Sequence, residues 1–524
     1  MTQKQLTARV RKTLARNVVS LMLMSSAAAF VSLPTTMMAQ AVNGNMLGTI
    51  TDQSKAVVPG ATVTITEVKS GAVKTNKTNE SGLFDFEALQ PGTYRVSATL
   101  AGFKEAKVEA VNVVVNSTIR VDLSLTVGST DETITVSAAP ELLKTDRADV
   151  AVDITSQQAE DLPLGTNRNV QGLVALAPGA TKPRLVHSNF FNAQASLSTE
   201  VNGQSRLANN TEIEGVDDNE RSGLLQVLIP PSEAIESVNV STANYQAEFG
   251  RVGGAVTDII LKSGTNAVHG QVYEFNRISA LAAKTRFQTT AKAPTVYNYT
   301  GGNIGGPILK NKLFLFGDYL HIADHQGQFN TSTVPTAAFR AGDLSAGGTN
   351  IYDPATGDST GKGRTQFSYN GKANVIDPAR ISPITQRILA LVPLPNVNGA
   401  SLTNNYSKNT HFIRTSNSFD VKADANVREG DHLSYRYSWQ KVDQLQEALF
   451  GAAGGPGQGA NNAAGTQTAY NTALNYTHVF SPKLLAEVRL GLNHYRNTAR
   501  QVDYGTTASP DIGIPRHRHP RRKH

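Results

Sequence analysis

The 524-residue chain has a formal net charge of +7 and contains no cysteine. The charge lies at the two ends, because residues 1–39 and 514–524 each carry five basic residues and no acidic one, which leaves about −3 for the body. This distribution excludes a nucleic-acid-binding body. The lack of cysteine excludes disulfides, thiolate metal sites, a cysteine nucleophile and a lipidated N-terminal cysteine.

The N-terminal residues have the order of a secretory signal. A basic region ends at Arg16, an apolar run extends from Val18 to Leu33, and the small residues Ala39 and Ala41 follow. We therefore predict that residues 1–39 form a signal peptide cleaved after Ala39. The alternative is an N-terminal membrane anchor, but the run of about 16 residues is shorter than the roughly 20 that a spanning helix requires.

Residues 40–127 contain short stretches of alternating polarity separated by turn signals. Phe84 and Phe86 fall on one face of such a stretch, and Ile119–Leu125 is predicted as the last strand. Short strands at this spacing predict a small β-sandwich. The stretch NESGLFDFEALQPGTYRVSATLAGF (Asn79–Phe103) resembles the carboxypeptidase-regulatory-like domain family. The resemblance implies an accessory module, and no zinc ligands of a peptidase accompany it.

The segment 128–140 follows and contains the sequence DETITVSAA. It resembles a TonB box, the extended peptide that pairs with a periplasmic energy-transducing protein. Strand addition to an exposed edge requires β-branched residues rather than a catalytic side chain. The resemblance implies a partner-binding role for Asp131, Glu132, Thr133, Ile134, Thr135, Val136, Ser137 and Ala138. The alternative is one more edge strand of the sandwich.

Residues 141–265 carry a series of motifs that resembles the plug domain of TonB-dependent outer-membrane receptors. The motifs are LPLGTNRN (Leu162–Asn169), the apolar turn Leu173–Gly179, VNGQ (Val201–Gln204), IEGVDDN (Ile213–Asn219) and KSGTN (Lys262–Asn266). With the preceding module, this order is similar to the Oar-like group of these receptors.

A glycine-rich stretch, Asn244–Gly270, joins this domain to the rest of the chain. Its short apolar strand, Ala255–Leu261, is preceded by Gly250, Gly253 and Gly254 and followed by Gly264 and Gly270. Glycine at this density provides backbone conformations and close approaches that a β-carbon forbids. We predict that these five glycines form a hinge between plug and barrel, although an ordinary turn-rich β domain explains them equally well.

Residues 266–510 contain about eight long strands of alternating polarity. In one of them Phe419 and Val421 alternate with Asp420 and Lys422. Strands of about ten residues with one apolar and one polar face are typical of a transmembrane barrel, whereas strands of soluble proteins average nearer five or six. The aromatic residues predicted at the membrane interfaces are Tyr435, Tyr437, Trp439, Tyr476, Phe480 and Tyr495. The intervals 336–408 and 444–466 are predicted as external loops.

No pattern of residues indicates catalysis, and we predict no cofactor, no metal and no enzymatic activity. Glu214, Asp217, Asp218 and Glu220 lack the spacing of a 12-residue calcium loop, and we interpret them as solvated acids of an exposed plug loop. The histidines are scattered, and no serine lies in a GxSxG motif. Gly301–Gly306 lacks the Lys-Ser/Thr of a phosphate-binding loop.

The sequence therefore predicts a mainly β protein: a small β-sandwich, a plug domain and the N-terminal part of a transmembrane β-barrel. The resemblance implies a receptor in the outer membrane of a Gram-negative bacterium. It would contact outer-membrane lipid and take up a large or scarce solute with energy from a TonB-type partner. The alternatives are a surface-binding or adhesion protein of the same architecture, and a non-functional fragment of a receptor.

The C-terminal residues 511–524 form a basic tail without a strand pattern. Receptors of this kind close with about 22 strands, whereas eight strands enclose only side chains and could not contain the plug. We therefore expect a truncated or frame-shifted chain whose tail is out of frame. The alternative is a natural basic tail.

Overall fold

The computed structural model describes most of the chain after the predicted signal peptide. The described residues are 42–128, 133–135, 148–165, 167–187, 189–246, 249, 252–284, 292–397, 402–428, 430–455, 463–481, 484–501, 504–505 and 507–514. The predicted signal peptide and most of the basic tail therefore lie outside them.

The N-terminal region is a sandwich of two sheets. Its strands are β1 (Gly44–Asp52), β2 (Thr62–Glu67), β3 (Val73–Lys77), β4 (Leu83–Leu89), β5 (Gly92–Thr99), β6 (Glu105–Val113), β7 (Thr118–Arg120), β8 (Leu123–Leu125) and β9 (Thr133–Thr135). One sheet has the order β4-β1-β7, with β8 also paired to β1, and the other has the order β3-β2-β5-β6-β9. Alternate side chains from both sheets, including Ile65, Phe84 and Val96, form one buried core.

The predicted strand Ile119–Leu125 is divided into β7 and β8, which both run parallel to β1. The interruption occurs at Asp122, whose Oδ1 accepts a hydrogen bond from the backbone N–H of Thr49 at 2.7 Å. A side chain thus replaces the backbone acceptor at this point of the ladder, because aspartate competes for nearby backbone donors.

The middle domain (the described residues of 148–265) is built around a second five-stranded sheet. Its elements are β10 (Val150–Thr155), α1 (Ser156–Asp161), β11 (Arg184–Leu185), β12 (Leu197–Ser198), β13 (Asn210–Ile213), β14 (Val216–Asp217), β15 (Ile235–Ala243) and β16 (Val256–Leu261), with 3-10 turns at Val170–Leu176, Arg206–Ala208 and Ser232–Ala234. The sheet order is β10-β15-β16-β13-β14. Every residue of the central strand β16 is buried, as its continuous apolar pattern predicts.

The C-terminal region is one long antiparallel sheet, here called the long sheet. Its strands in order are β17 (His269–Ile278), β18 (Thr295–Leu309), β19 (Leu313–Ser332), β22 (Tyr406–Arg428), β23 (Asp431–Gln446), β24 (Ala463–Ser481) and β25 (Leu484–Arg500). The described residues thus contain seven long strands where the sequence predicted about eight. Several, such as the 23-residue β22, are much longer than the roughly ten residues typical of a barrel strand.

Smaller elements lie between and after the long strands. The connection from β19 to β22 contains α2 (Ala337–Arg340), β20 (Ser368–Tyr369), β21 (Lys372–Ala373) and α3 (Pro383–Leu391), and α4 (Ala508–Asp511) follows β25. Further 3-10 turns lie at Ser345–Gly347, Pro378–Arg380 and Gly451–Ala453. Within the described ranges, none of the helices has the length and apolar character needed to span a membrane.

The two ends of the long sheet differ in their connections. The short connections 310–312, 429–430 and 482–483 follow β18, β22 and β24, so the antiparallel order places them together at what we call the turn end. The long connections 279–294, 333–405 and 447–462 lie at the opposite end. This asymmetry is typical of outer-membrane barrels.

The long sheet has its polarity reversed relative to a soluble protein. Asp420, Lys422 and Asp424 of β22 are buried, whereas Val421 between them is 39% exposed. The same alternation continues in β23, where Arg436 is fully buried and Tyr435 is 45% exposed. A sheet that covers its charged side chains and exposes its apolar ones is suited to a hydrocarbon surface.

Candidate functional site

A buried ion pair joins the long sheet to the middle domain. Lys422 Nζ donates to Glu214 Oε1 at 2.7 Å and to the carbonyl of Leu261 at 2.9 Å. Both charged side chains are at least 95% buried, since their exposed fractions are 3% and 4%. Glu214 also accepts from the Leu261 backbone N–H at 2.9 Å. These added hydrogen bonds offset part of the desolvation that burying two charges requires.

Arg436 forms a second contact beside this pair. Its guanidinium donates to the carbonyl of Ile213 at 3.2 Å and to the side chains of Asn471 and Ser438. The Ser438 hydroxyl in turn donates to Asp420. A planar guanidinium can bond several acceptors at once, so Arg436 links three strands of the long sheet to the end of β13.

Amide side chains of the long sheet hold the turn between β13 and β14. Asn475 Nδ2 donates to the carbonyl of Glu214 at 3.1 Å, and Asn493 Nδ2 donates to the carbonyl of Asp217 at 3.0 Å. Both of these contacts are polar. A polar contact differs from an apolar core because water can replace each of its hydrogen bonds when the two surfaces separate.

The interpretation of the acids between positions 214 and 220 as solvated is wrong. Glu214 and Asp218 are buried, and Glu220 is 9% exposed. Asp218 accepts from the Leu228 backbone N–H at 3.2 Å, and burial raises the pKa of its carboxyl well above the ordinary value. In the described parts of the chain, no group of three or more histidine, cysteine, aspartate or glutamate side chains could hold a metal ion.

Arg168, in the LPLGTNRN motif, joins the middle domain to the edge of the long sheet that is formed by β17. Its guanidinium carbon lies 3.7 Å from the centroid of the Phe275 ring on β17, which is a close cation–π contact. It also forms an ion pair with Glu233, whose Oε2 accepts from the Tyr299 hydroxyl of β18 at 3.2 Å. Sequence analysis missed Glu233, because its partners lie 65 and 66 residues away and no local pattern marks it.

Three of the glycines predicted as a hinge, Gly254, Gly264 and Gly270, allow close packing rather than unusual dihedral angles. A β-carbon on Gly264 would lie 2.4 Å from the carbonyl oxygen of Leu315, and one on Gly270 would lie 2.4 Å from that of Asn303. On Gly254 it would lie 2.2 Å from Asn209 Oδ1, whereas Gly253 has ordinary room, 3.5 Å from Ala208 Cβ. None of these four glycines has a positive φ. Gly250 lies outside the described residues.

The sandwich covers the middle domain at the turn end of the long sheet. Its loop Val114–Ser117 lies on the middle sheet, where Val114 and Val115 pack with Val42 against Ile260. An ion pair of 2.9 Å joins Lys69 of the sandwich to Glu236 of β15.

A cavity of about 790 Å³ lies beside these contacts, between the sandwich, the middle domain and the turn end. Residues that line it include Lys69, Lys74, Tyr94, Glu236, Lys312 and Asp431.

Of the segment predicted as a TonB box, the structure describes Thr133–Thr135, which form β9 at the end of the second sandwich sheet. Asp131, Glu132, Val136, Ser137 and Ala138 lie outside the described residues. The alternative interpretation, an edge strand of the sandwich, thus matches the backbone of these three residues. The two interpretations are compatible, because a terminal strand has a second edge.

Two family models match the chain. Residues 260–523 match the family described as outer membrane beta barrel domain, and residues 45–126 match the carboxypeptidase regulatory-like domain. The TonB-dependent transporter Oar of Myxococcus xanthus is 25% identical over 295 residues, which are 53% of this chain and 27% of that protein. The aligned part is therefore about a quarter of that relative's length.

Solved structures of transporters and receptors are also similar to the chain. The outer membrane transporter YddB from Escherichia coli has 11% identity and a TM-score of 0.42, and the match covers 67% of this chain and 40% of that one. The siderophore receptor PirA from Acinetobacter baumannii has 17% identity and a TM-score of 0.31, with coverage of 66% and 48%.

Proposed function

Because this chain belongs to the outer membrane beta-barrel family, we propose that it is a TonB-dependent receptor that imports a large or scarce solute. Its location is the outer membrane of a Gram-negative bacterium. In this proposal residues 141–265 are the plug, residues 266–510 are part of the barrel wall around it, and residues 40–127 extend into the periplasm at the turn end. The segment 128–140 contacts the energy-transducing partner.

The buried pair of Lys422 and Glu214 is the observation that carries the proposal. It places a charged contact between the middle domain and the inner face of a sheet whose other face is apolar. A domain that served only to stabilise the sheet would pack more effectively through apolar side chains. A domain that must move during transport benefits from a contact that water can replace, and the amide and guanidinium contacts beside the pair have this character.

Energy would enter through the box-like segment. The outer membrane offers no usable gradient to an imported solute, so the work must come from a periplasmic partner. Strand addition is the recognition mode that fits a short stretch of β-branched residues such as Thr133–Thr135. Similarity to a TonB-dependent transporter supports the same assignment.

The test is a change in this segment that spares the rest of the chain. Ile134→Pro removes a backbone donor and distorts the strand, so it should weaken binding of the partner's purified periplasmic domain in a pull-down. Ile134→Val is the control and should bind as the unchanged chain does. Unchanged binding by the proline variant would mean that the segment is a sandwich edge and nothing more.

A comparison of solute binding with solute import distinguishes a transporter from an adhesion protein. A receptor that lacks residues 131–138 should bind its solute at the opposite end of the barrel and fail to import it. Unchanged import by cells carrying this deletion would contradict partner-driven transport.

A further inference from the structure

The box-like strand is part of the sandwich fold. β9 runs parallel to β6, with Glu105 opposite Thr133, Ala106 opposite Ile134 and Lys107 opposite Thr135. In the described part of the chain β9 is the terminal strand of its sheet, since the order is β3-β2-β5-β6-β9. One edge of β9 is therefore occupied by β6, and the other edge faces away from the sheet.

The same strand that holds β9 leads directly into the contact with the middle domain. β6 ends at Val113, and the next four residues are the loop Val114–Ser117. Within this loop Val115 is fully buried, and its backbone N–H lies 3.4 Å from Ser237 Oγ of β15. Asn116 Nδ2 lies 3.4 Å from Asp258 Oδ2 of β16. One strand thus connects the box-like segment to the two central strands of the plug sheet.

We propose that the partner adds its strand to the outer edge of β9 while β9 remains paired with β6. The sandwich then carries the partner's pull to the plug through β6 and the loop Val114–Ser117. This inference rests on the proposed function, because it specifies how the same TonB-type partner docks.

Two physical arguments support docking on the paired strand. Thr133–Thr135 are already extended in a sheet, so the partner does not bear the entropy of ordering them. The sandwich that presents them is held by a core shared between both sheets, whereas its contact with the plug consists of the small cluster around Val115 and a few polar contacts. A pull on β9 therefore acts on the sandwich–plug contact before it unfolds the sandwich.

The competing mechanism is that β9 must leave β6 before the partner can bind. A disulfide between the two strands distinguishes the mechanisms, and the chain has no cysteine that could interfere. Lys107→Cys with Thr135→Cys joins facing positions of neighbouring strands, whose spacing suits a disulfide. The facing pair of Ala106 and Ile134 is avoided because Ala106 belongs to the buried core.

A matched control places the disulfide elsewhere in the same sheet. Thr64, which is half-buried, and Thr75, which is exposed, face each other on β2 and β3 and have their hydroxyl oxygens 3.4 Å apart. Thr64→Cys with Thr75→Cys should bind the partner equally when oxidised and reduced. It reports any effect of oxidation that does not involve β9.

The measurement is the Kd of the full chain for the partner's purified periplasmic domain, before and after reduction with dithiothreitol. If β9 binds the partner while it remains paired with β6, the oxidised Lys107→Cys/Thr135→Cys chain binds the partner at least as tightly as the reduced form does. A Kd that rises by more than about twofold on oxidation and returns on reduction, without a change in the control, overturns the inference. Failure of the unchanged chain to bind would instead refute the partner, and with it the proposed function.

Discussion

Lys422 and Glu214 show how a few side chains determine the character of the whole interface. Each has its charge almost fully removed from water, and each is also bonded to Leu261 of β16. Breaking one partner of such a pair typically costs about 3–5 kcal/mol, because the other charge remains buried without compensation. The pair therefore holds the middle domain against the long sheet, and the contacts beside the pair are also polar.

The glycines at the junction of the middle domain and the long sheet act by size. Gly264→Ala should destabilise the folded chain by roughly 1–3 kcal/mol, because the added methyl group meets the backbone of Leu315 and Gly306. Gly253→Ala is the matched control and should be neutral or slightly stabilising, since its methyl group has ordinary contact distances. Urea unfolding of both variants in detergent measures the difference. Equal stabilities would show that position 264 accommodates a side chain.

Residue roles were predictable only where a local pattern marks them. The alternation along β22 placed Lys422 on the polar face, and the LPLGTNRN motif singled out the segment that contains Arg168. Neither pattern identifies the residue that forms the ion pair with Lys422 or Arg168, because these residues, Glu214 and Glu233, come from distant parts of the chain. The acids near position 218 were placed wrongly because sequence alone does not show that the long sheet covers them.

At the scale of elements, the loop Val114–Ser117 after β6 links the sandwich to the middle domain. Val115 belongs to a small cluster with Val42, Val114 and Ile260, separate from the sandwich core. Loss of the Val115 side chain should therefore release the sandwich from the middle domain and leave the sandwich folded.

A single introduced cysteine tests this link. In a Ser237→Cys chain, where position 237 is buried beneath the loop, Val115→Asp should raise the rate of maleimide labelling about tenfold or more, because burial of a valine contributes about 1.5–3 kcal/mol. Val127→Asp, at a position 70% exposed, is the control and should leave the rate unchanged. Slow labelling in both variants would show that the loop does not hold the two domains together.

Element types were largely predictable, and element limits were not. Alternation identified the sandwich strands around Phe84 and the long strands around Val421, because each has one buried and one exposed face. The division between β7 and β8 was not predicted, since it depends on a hydrogen bond between Asp122 and the distant Thr49. The pairing of β9 with β6 is equally non-local.

At the scale of the whole molecule, the reversed polarity of the long sheet indicates the environment that its exposed face contacts. Exposed apolar side chains such as Val421 and Leu490 lie on the face opposite the middle domain. Phe419 and Trp439 stack on neighbouring strands with ring centroids 5.6 Å apart. The outward face is thus suited to lipid, and charge on it should be costly in proportion to depth.

Two valines on β22 test this dependence. Val421 lies well inside the strand and Val427 lies next to the turn end, and both are exposed. Val421→Lys should cost about 2–4 kcal/mol of folding free energy in phospholipid vesicles, whereas Val427→Lys should cost about 0–1 kcal/mol. Denaturant titration of vesicle-inserted protein measures both. Equal costs would place this face of the sheet in water.

The cavity between the sandwich, the middle domain and the turn end makes the docking of the sandwich sensitive to osmotic stress. A space of about 790 Å³ lined by charged groups such as Lys69 and Glu236 is polar and large enough to hold water, and at about 30 Å³ for each molecule it has room for on the order of 25 waters. Polymers too large to enter cannot reach this water while the sandwich is docked, but it joins the bulk when the sandwich separates. Lower water activity acting on this space therefore favours separation of the sandwich from the middle domain.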